Sequence, residues 1–123
     1  RLQLPPPPVL WRCDQTLMLR AIDNLIGNAL RHAKSQVELR LEICPQGWRI
    51  TVDDDGPGIS PAERQLVFEP FVRLDSSRDR QTGGYGLGLA IVQSIAQAHQ
   101  GTIILGESPM GGARFSLHWP TPV

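Results

Sequence analysis

Residues 37–52 read VELRLEICPQGWRITV. Val37, Leu39, Leu41 and Ile43 alternate with polar neighbours, as do Trp48, Ile50 and Val52, and Pro45-Gln46-Gly47 lies between the two runs. Apolar residues at period two predict strands with one face buried, and the intervening Pro and Gly predict a turn, so the stretch reads as a β-hairpin. A purely parallel sheet needs long crossovers where this chain has a tight turn. Upstream, Asp14 is placed to cap a helix from Gln15 to about Ala33, in which Leu17, Ala21, Ile22, Leu25, Ala29 and Leu30 recur at helical spacing and predict one buried face. Further upstream, Pro5 to Pro8 should be extended, and Val9 to Arg12 reads as a short strand. Downstream, a short helix is expected from Pro61 and another from about Leu87, which Gly101 would end. Ile103 to Gly106 and Ala113 to Trp119 give two more strands, with Gly111-Gly112 in the turn before the last. The expected fold is α/β, a two-layer sandwich with a mixed, mostly antiparallel sheet covered by about three helices.

The chain has 123 residues, enough for one core and too few for two, and is read as a single domain over 1–123 with a proline-rich lead-in over 1–8. Twelve Lys and Arg balance twelve Asp and Glu, and Lys34 is the sole lysine, which leaves no basic stripe for a nucleic-acid backbone. Cys13 and Cys44 lack both CxxC spacing and clustered histidines, which argues against a zinc site or a disulfide framework and suits a reduced, cytosolic compartment. No apolar run approaches the roughly 20 residues needed to span a bilayer, so no direct membrane contact is expected of this piece. The lead-in and the stop soon after Trp119 and Pro120 read as the ends of an excised domain.

Four polar segments are candidates to carry chemistry. Asn24, Asn28, Arg31 and His32 are spaced i, i+4, i+7 and i+8 and form a stripe along the predicted helix. An asparagine carbonyl suits a hard cation such as magnesium and an arginine suits phosphate, although the stripe equally fits a solvated face. Asp53-Asp54-Asp55 ends a predicted strand before Gly56, Pro57 and Gly58, bringing a carboxylate to a sharp bend where it could accept from an exocyclic amine. The same residues would also make an ordinary turn. Gly83, Gly84, Gly86 and Gly88, in GGYGLGLAIV, precede and enter a helix start, where bare amides and the dipole favour anions. The spacing is neither GxxxxGK[ST] nor GxGxxG, since Leu89 fills the last place. Between the glycine segments, Arg73, Arg78 and Arg80 lie on a charged stretch anchored by Phe68 and Phe71; it could close as a lid over a phosphate or stay a solvated loop.

Taken in order, NLIGNALRHA, DDDGPGIS, FEPFVR and GGYGLGLAIV resemble the N box, first glycine box, F box and second glycine box of sensor histidine-kinase catalytic domains, over nearly the whole chain. LDSSRDR and GGARFSLHWP are most similar to the RstB-type sensors of two-component systems. The resemblance implies a Bergerat-type ATP fold with ATP and Mg2+ as ligands. Asn28 would bind the metal, with Asn24, Arg31 and His32 near phosphates or ribose and Asp55 recognising adenine. Gly56 and Gly58 would shape the base pocket and Gly84, Gly86 and Gly88 would border the phosphates. Ile59, Phe71, Tyr85, Leu87 and Leu89 complete the implied nucleotide-binding positions, with the lid over about 72–83. Tyr85 stands where a threonine or serine is more usual. Asn24 and Arg73 are the implied catalytic positions.

In such kinases the γ-phosphoryl group passes to a histidine on a separate helical dimerisation domain and then to a response regulator, and the resemblance places the domain on the cytoplasmic side of a bacterial inner-membrane protein. None of the three histidines, in the contexts HAK, HQG and HWP, is followed by the acidic residue expected of a phosphoacceptor, so nucleotide binding without autophosphorylation is expected. One alternative is an ATP-hydrolysing relative of the gyrase, Hsp90 or MutL kind, which resemble one another in having a glutamate four residues before the magnesium-binding asparagine. Asn24 occupies that position here and offers no carboxylate base for water. The others are an anti-sigma or serine-directed relative and a degenerate interaction domain; loss of Asn28, Asp55 or the glycines would favour degeneration, and all are present.

Overall fold

The computed structural model describes residues 2–3, 14–45, 47–69 and 88–120. Its elements in chain order are β1 (Leu2–Gln3), α1 (Gln15–His32), β2 (Val37–Cys44), β3 (Gly47–Asp54), two single 3-10 turns (Pro61–Glu63 and Leu66–Phe68), α2 (Gly88–Ala98), β4 (Thr102–Glu107) and β5 (Ala113–Pro120). The sheet order is β1-β2-β3-β5-β4. All neighbours are antiparallel except β1, which runs parallel to β2. The hairpin forms as expected, with pairing from Val37 opposite Asp54 out to Cys44 opposite Gly47. The short helix expected from Pro61 is replaced by the two 3-10 turns, and the strand expected over Val9 to Arg12 lies outside the described residues.

α1 starts where Asp14 Oδ1 accepts the Leu17 N–H at 3.0 Å, the side-chain cap of an orphan donor. Arg31 and His32 in its last turn complement the negative end of the helix dipole. Met18, Ala21, Leu25 and Ala29 are buried and pack on Ile50 and Val52 of β3 and Phe115, Leu117 and Trp119 of β5. Val92, Ile95 and Ala96 of α2 complete the same core. Leu30, expected on the buried face, is 63% exposed. Asn28, by contrast, lies almost wholly buried although it is polar. Helical periodicity gives the direction of a face but not its width, so residues at the stripe's margin fall either way.

Even-numbered residues of β3 face the helices and odd-numbered ones the far side, because side chains alternate across a strand. Being central, β3 is covered on the far side as well: Thr51 and Asp53 are buried there. Asp53 forms a two-pronged ion pair with its register partner Arg114, with Nε to Oδ1 at 2.8 Å and the second guanidinium nitrogen to Oδ2 at 3.0 Å.

The end of α2 corrects a second expectation. Gly101 does follow the helix, but the left-handed residue is Gln100, at φ 61°. Its N–H donates to Gln97 O, and the Gly101 N–H reaches back to Ala96 O at 2.7 Å, the pattern of a Schellman motif. Glycine is needed at 101 for another reason: a Cβ there would lie 2.5 Å from the His118 carbonyl oxygen and 2.6 Å from the Trp119 ring. Gly101→Ala is therefore expected to cost about 1–3 kcal/mol, the usual range for forcing extra atoms into a packed contact. Chemical denaturation of the two proteins checks this, and a loss under about 0.5 kcal/mol, the range of ordinary surface changes, would show that β5 yields there.

Candidate functional site

The polar stripe of α1 runs along the edge of the core. Asn28 is 7% exposed, Asn24 and His32 are half-buried, and Arg31 is exposed. Among the described residues no hydrogen bond is made by the Asn28 amide, whose polar atoms are not fully enclosed. An unpaired carbonyl and amide held by α1 at the margin of the core fit a ligand, and the carbonyl oxygen fits a hard cation. α2 approaches the same stripe: Gly88, its first residue, lies so that a Cβ would be 3.9 Å from Asn24 Cγ. The positive end of α2 thus stands beside Asn24, where an anion would be favoured. Leu89 and Ile59 are half-buried and pack against the core.

The second part of the site is the end of β3. Asp54 continues the helix-facing series of Trp48, Ile50 and Val52, and at 2% exposed its carboxylate lies at the end of the β3–β5 pair. Its Oδ1 accepts the Gly56 N–H at 2.8 Å and the Ala113 N–H at 3.2 Å. No hydrogen bond among the described residues reaches Oδ2. Oδ2 is not wholly enclosed, and a ligand N–H is a fitting partner for it. Glycine is required on both sides of this carboxylate. A Cβ at Gly56 would collide with the His32 carbonyl at the end of α1, and one at Gly112 with Asp54 Oδ1. Gly112 belongs to the β4–β5 connection, closed by Ser108 N–H to Gly112 O at 2.8 Å and Gly111 N–H to Ser108 O at 2.9 Å. A Cβ at Gly58 would lie 3.5 Å from the Gly112 carbonyl, so the turn after β3 runs directly against that connection.

Asp55, expected to meet a base, is engaged elsewhere. Its Oδ1 accepts the backbone N–H groups of Lys34 (2.8 Å) and Ser35 (3.0 Å), while Oδ2 accepts the Ser35 hydroxyl at 2.7 Å and shares the Ser35 N–H at 3.2 Å. Its own N–H donates to Gln36 O at 3.3 Å. The Ser35 N–H first, then the Ser35 hydroxyl and the other backbone donors, hold the carboxyl well below the ordinary carboxylate range. Because the folded value is depressed, the group's stabilising contribution is complete above the unfolded value of 3.8 and is lost only as pH falls through the folded one. Both oxygens of Asp55 are thus occupied by the segment after α1, whereas Asp54 Oδ2 has no hydrogen bond among the described residues.

The structure thus brings Asn24 to Gly88, His32 to Gly56, and Asp54 to Gly112. Arg73, Phe71, Gly84, Tyr85, Gly86, Leu87 and the lid expected over about 72–83 lie outside the described residues. Of the F box, Phe68 is described: it is buried edge-on against Phe115, with ring centroids 6.3 Å apart. Two residues of this arrangement were not singled out by the sequence. Asp54 was signalled by strand parity, since 48, 50, 52 and 54 share a face. Gly112 was assigned to a turn, and nothing in the chain's local pattern pairs it with a carboxylate nearly sixty residues away.

With this geometry in place the relatives become interpretable. A family profile described as histidine kinase-, DNA gyrase B- and HSP90-like ATPase matches residues 13–123. The chain belongs to this ATPase family. Within it, the chain is 57% identical over 107 residues to the sensor protein RstB of Escherichia coli strain K12, covering 87% of this chain and 25% of RstB. It is 41% identical over 119 residues to the sensor histidine kinase CpxA of the same strain, covering 97% of this chain and 26% of CpxA. The chain therefore spans about a quarter of the length of these relatives. Among solved structures, the ATP-binding domain of PrrB from Mycobacterium tuberculosis superposes with a TM-score of 0.73 at 36% identity, covering 99% of this chain and 80% of that one. Full-length ShkA in complex with AMPPNP gives 0.76 at 32% identity, covering 90% and 23%. The family's helix-on-sheet layering is the one observed here, as expected. No helix among the described residues is long and apolar enough to cross a membrane.

Proposed function

We propose that this domain binds ATP with Mg2+ and donates the γ-phosphoryl group to a histidine on a separate helical dimerisation domain of a two-component sensor kinase, from which it passes to a response regulator. The observation that carries the reading is the buried Asp54 carboxylate with one oxygen spoken for by two backbone donors and the other open beneath a glycine-lined turn. Asp54 accepts the exocyclic amine of adenine, in place of Asp55. Asn28 offers its carbonyl oxygen to Mg2+, which when bound neutralises phosphate charge. Asn24, Arg31, His32 and the start of α2 at Gly88 orient the phosphates, and Arg73 with the segment over about 72–83 closes over them as a lid. Gly84 and Gly86 border the phosphates; Ile59, Phe71, Tyr85, Leu87 and Leu89 complete the pocket.

Asn24 decides between transfer and hydrolysis. It lies beside the helix start where phosphates would sit, and an amide cannot take a proton from water. Transfer to a positioned imidazole therefore fits better than water attack. The full protein is proposed to be a bacterial inner-membrane sensor with this domain in the cytoplasm, folding as one unit over 1–123 and making no contact with nucleic acid.

Calorimetric titration with a non-hydrolysable ATP analogue and magnesium tests the binding step. A saturable heat is expected, and no heat at millimolar nucleotide would sink the reading. Mixing the domain with the helical domain of its own kinase should then yield acid-labile phosphate on that partner. Steady-state hydrolysis by the domain alone, abolished by changing Asn24, would instead point to an ATPase.

A further inference from the structure

Asp55 sits between two residues that meet the proposed ligand or its walls, yet it faces away from both. Asp54 before it holds the open carboxylate oxygen, and Gly56 after it abuts the His32 carbonyl at the end of α1. Its four hydrogen bonds and its own N–H all go to Lys34, Ser35 and Gln36, the three residues that follow the C-cap Ala33. The turn after β3 is thereby tied to the exit of α1. These two segments carry the two halves of the site. Asp54 belongs to the base end; Asn28 and His32, one helical turn apart on α1, belong to the phosphate and metal end. The β2–β3 ladder, with Val37 opposite Asp54, and the Gly56 backbone against the His32 carbonyl also join the halves here, but the Asp54 carboxylate bonds to Gly56 and across to β5, which leaves Asp55 as the side chain that ties the turn to the exit of α1.

We infer that Asp55 and Ser35 form a positioning pair that sets the distance and angle between the base-reading carboxylate and the phosphate-binding end of α1. The inference rests on the nucleotide reading of the site. A ligand that touches both halves, ATP with magnesium, depends on their mutual placement. A ligand that touches only the base end, adenosine, does not. The pair is chemically well suited to the task. The carboxylate is ionised at all working pH values, takes donors from two successive backbone amides, and receives the Ser35 hydroxyl at 2.7 Å, which fixes its rotation. A carboxylate that accepts several charge-assisted hydrogen bonds holds its partners in a narrower range of positions than a lone contact does.

The test compares two ligands on the domain and three variants. Wild-type binding of the ATP analogue with magnesium comes first, since its failure would count against the nucleotide reading itself and not against the pair. Ser35→Ala is then expected to weaken the analogue about threefold and Asp55→Ala about tenfold, in line with loss of one and of several hydrogen bonds to a charged group near solvent. Both should leave adenosine affinity, followed by NMR shift titration well below the melting temperature, within twofold of wild type. Ser35→Thr, which keeps the hydroxyl, should restore analogue binding. Equal weakening of both ligands would reveal general loosening of the fold and overturn the inference. So would weakened adenosine binding in Asp55→Ala with Ser35→Ala unaffected, because Asp55 would then read the base directly. If Asp55→Ala does not fold, the Ser35→Ala and Ser35→Thr pair decides alone: analogue affinity unchanged in Ser35→Ala overturns the inference.

Discussion

Replacing Arg114 with leucine is expected to lower the unfolding free energy by about 3 kcal/mol, the low end of what removing one partner of a buried ion pair costs. The low end applies because the guanidinium is itself a third exposed, so water screens part of the pair. Asp53 has no such access: its side chain is 4% exposed, and both its oxygens are held by Arg114. The residue opposite it on β2 is Glu38, a second carboxylate directly across the strand pair. Without Arg114, the buried charge would have no donor, and Glu38 opposite it, itself paired with Arg40 at 2.8 Å, would add only a partly offset like charge. The double variant Asp53→Leu with Arg114→Leu should recover most of the loss, since it removes the stranded charge with its partner. Urea denaturation of the single and double variants measures both. A loss below about 1 kcal/mol in Arg114→Leu, typical of exposed pairs, would mean that the carboxylate reaches solvent by moving.

The second large effect is expected from Asp54→Asn, on ligand binding and not on the fold. The substitution is isosteric. Asparagine's carbonyl oxygen can take the place of Oδ1 and still accept from Gly56 and Ala113, so the backbone around it keeps its partners. The amide group then stands where Oδ2 was and presents a donor to the donor of an adenine amine. A site built to pair with a group loses far more than one contact when it meets the wrong polarity, because both buried groups are left unpaired. Affinity for the ATP analogue should fall about 100-fold, roughly 2.7 kcal/mol at room temperature, with the urea midpoint little changed. Asp55→Asn should fall far short of that loss. If the two variants exchange these effects, the assignment of the base-reading carboxylate to Asp54 is wrong.

The fold was legible because each layer announces itself at short range. Asp14 caps α1 as its side chain predicts, the Val37–Val52 alternation yields the hairpin, and the Ala113–Trp119 strand pairs with β3 through its alternating apolar residues. Where local signals misled, burial was the cause. Leu30 has the right residue type at the margin of the helical stripe and is exposed, whereas Asn28 has the wrong type and is buried. A polar residue at the edge of a core has no signature in a single sequence. The glycine end of α2 misled for a related reason: Gly101 serves a contact with His118 and Trp119, and the left-handed turn falls on Gln100.

The triplet Asp53-Asp54-Asp55 marks the division. The sequence by itself determined that carboxylates would stand at the end of a strand before a glycine turn and that a helix would carry Asn24, Asn28 and His32, and it carried the family's motif order. Only the tertiary structure decided which carboxylate does what. Three consecutive residues at a strand end point in three directions, so one meets Arg114 of β5 on the far face, one lies under the helices with an open oxygen, and one ties back to Ser35. Three identical side chains differ here only in surroundings, and those are supplied by segments twenty to sixty residues away.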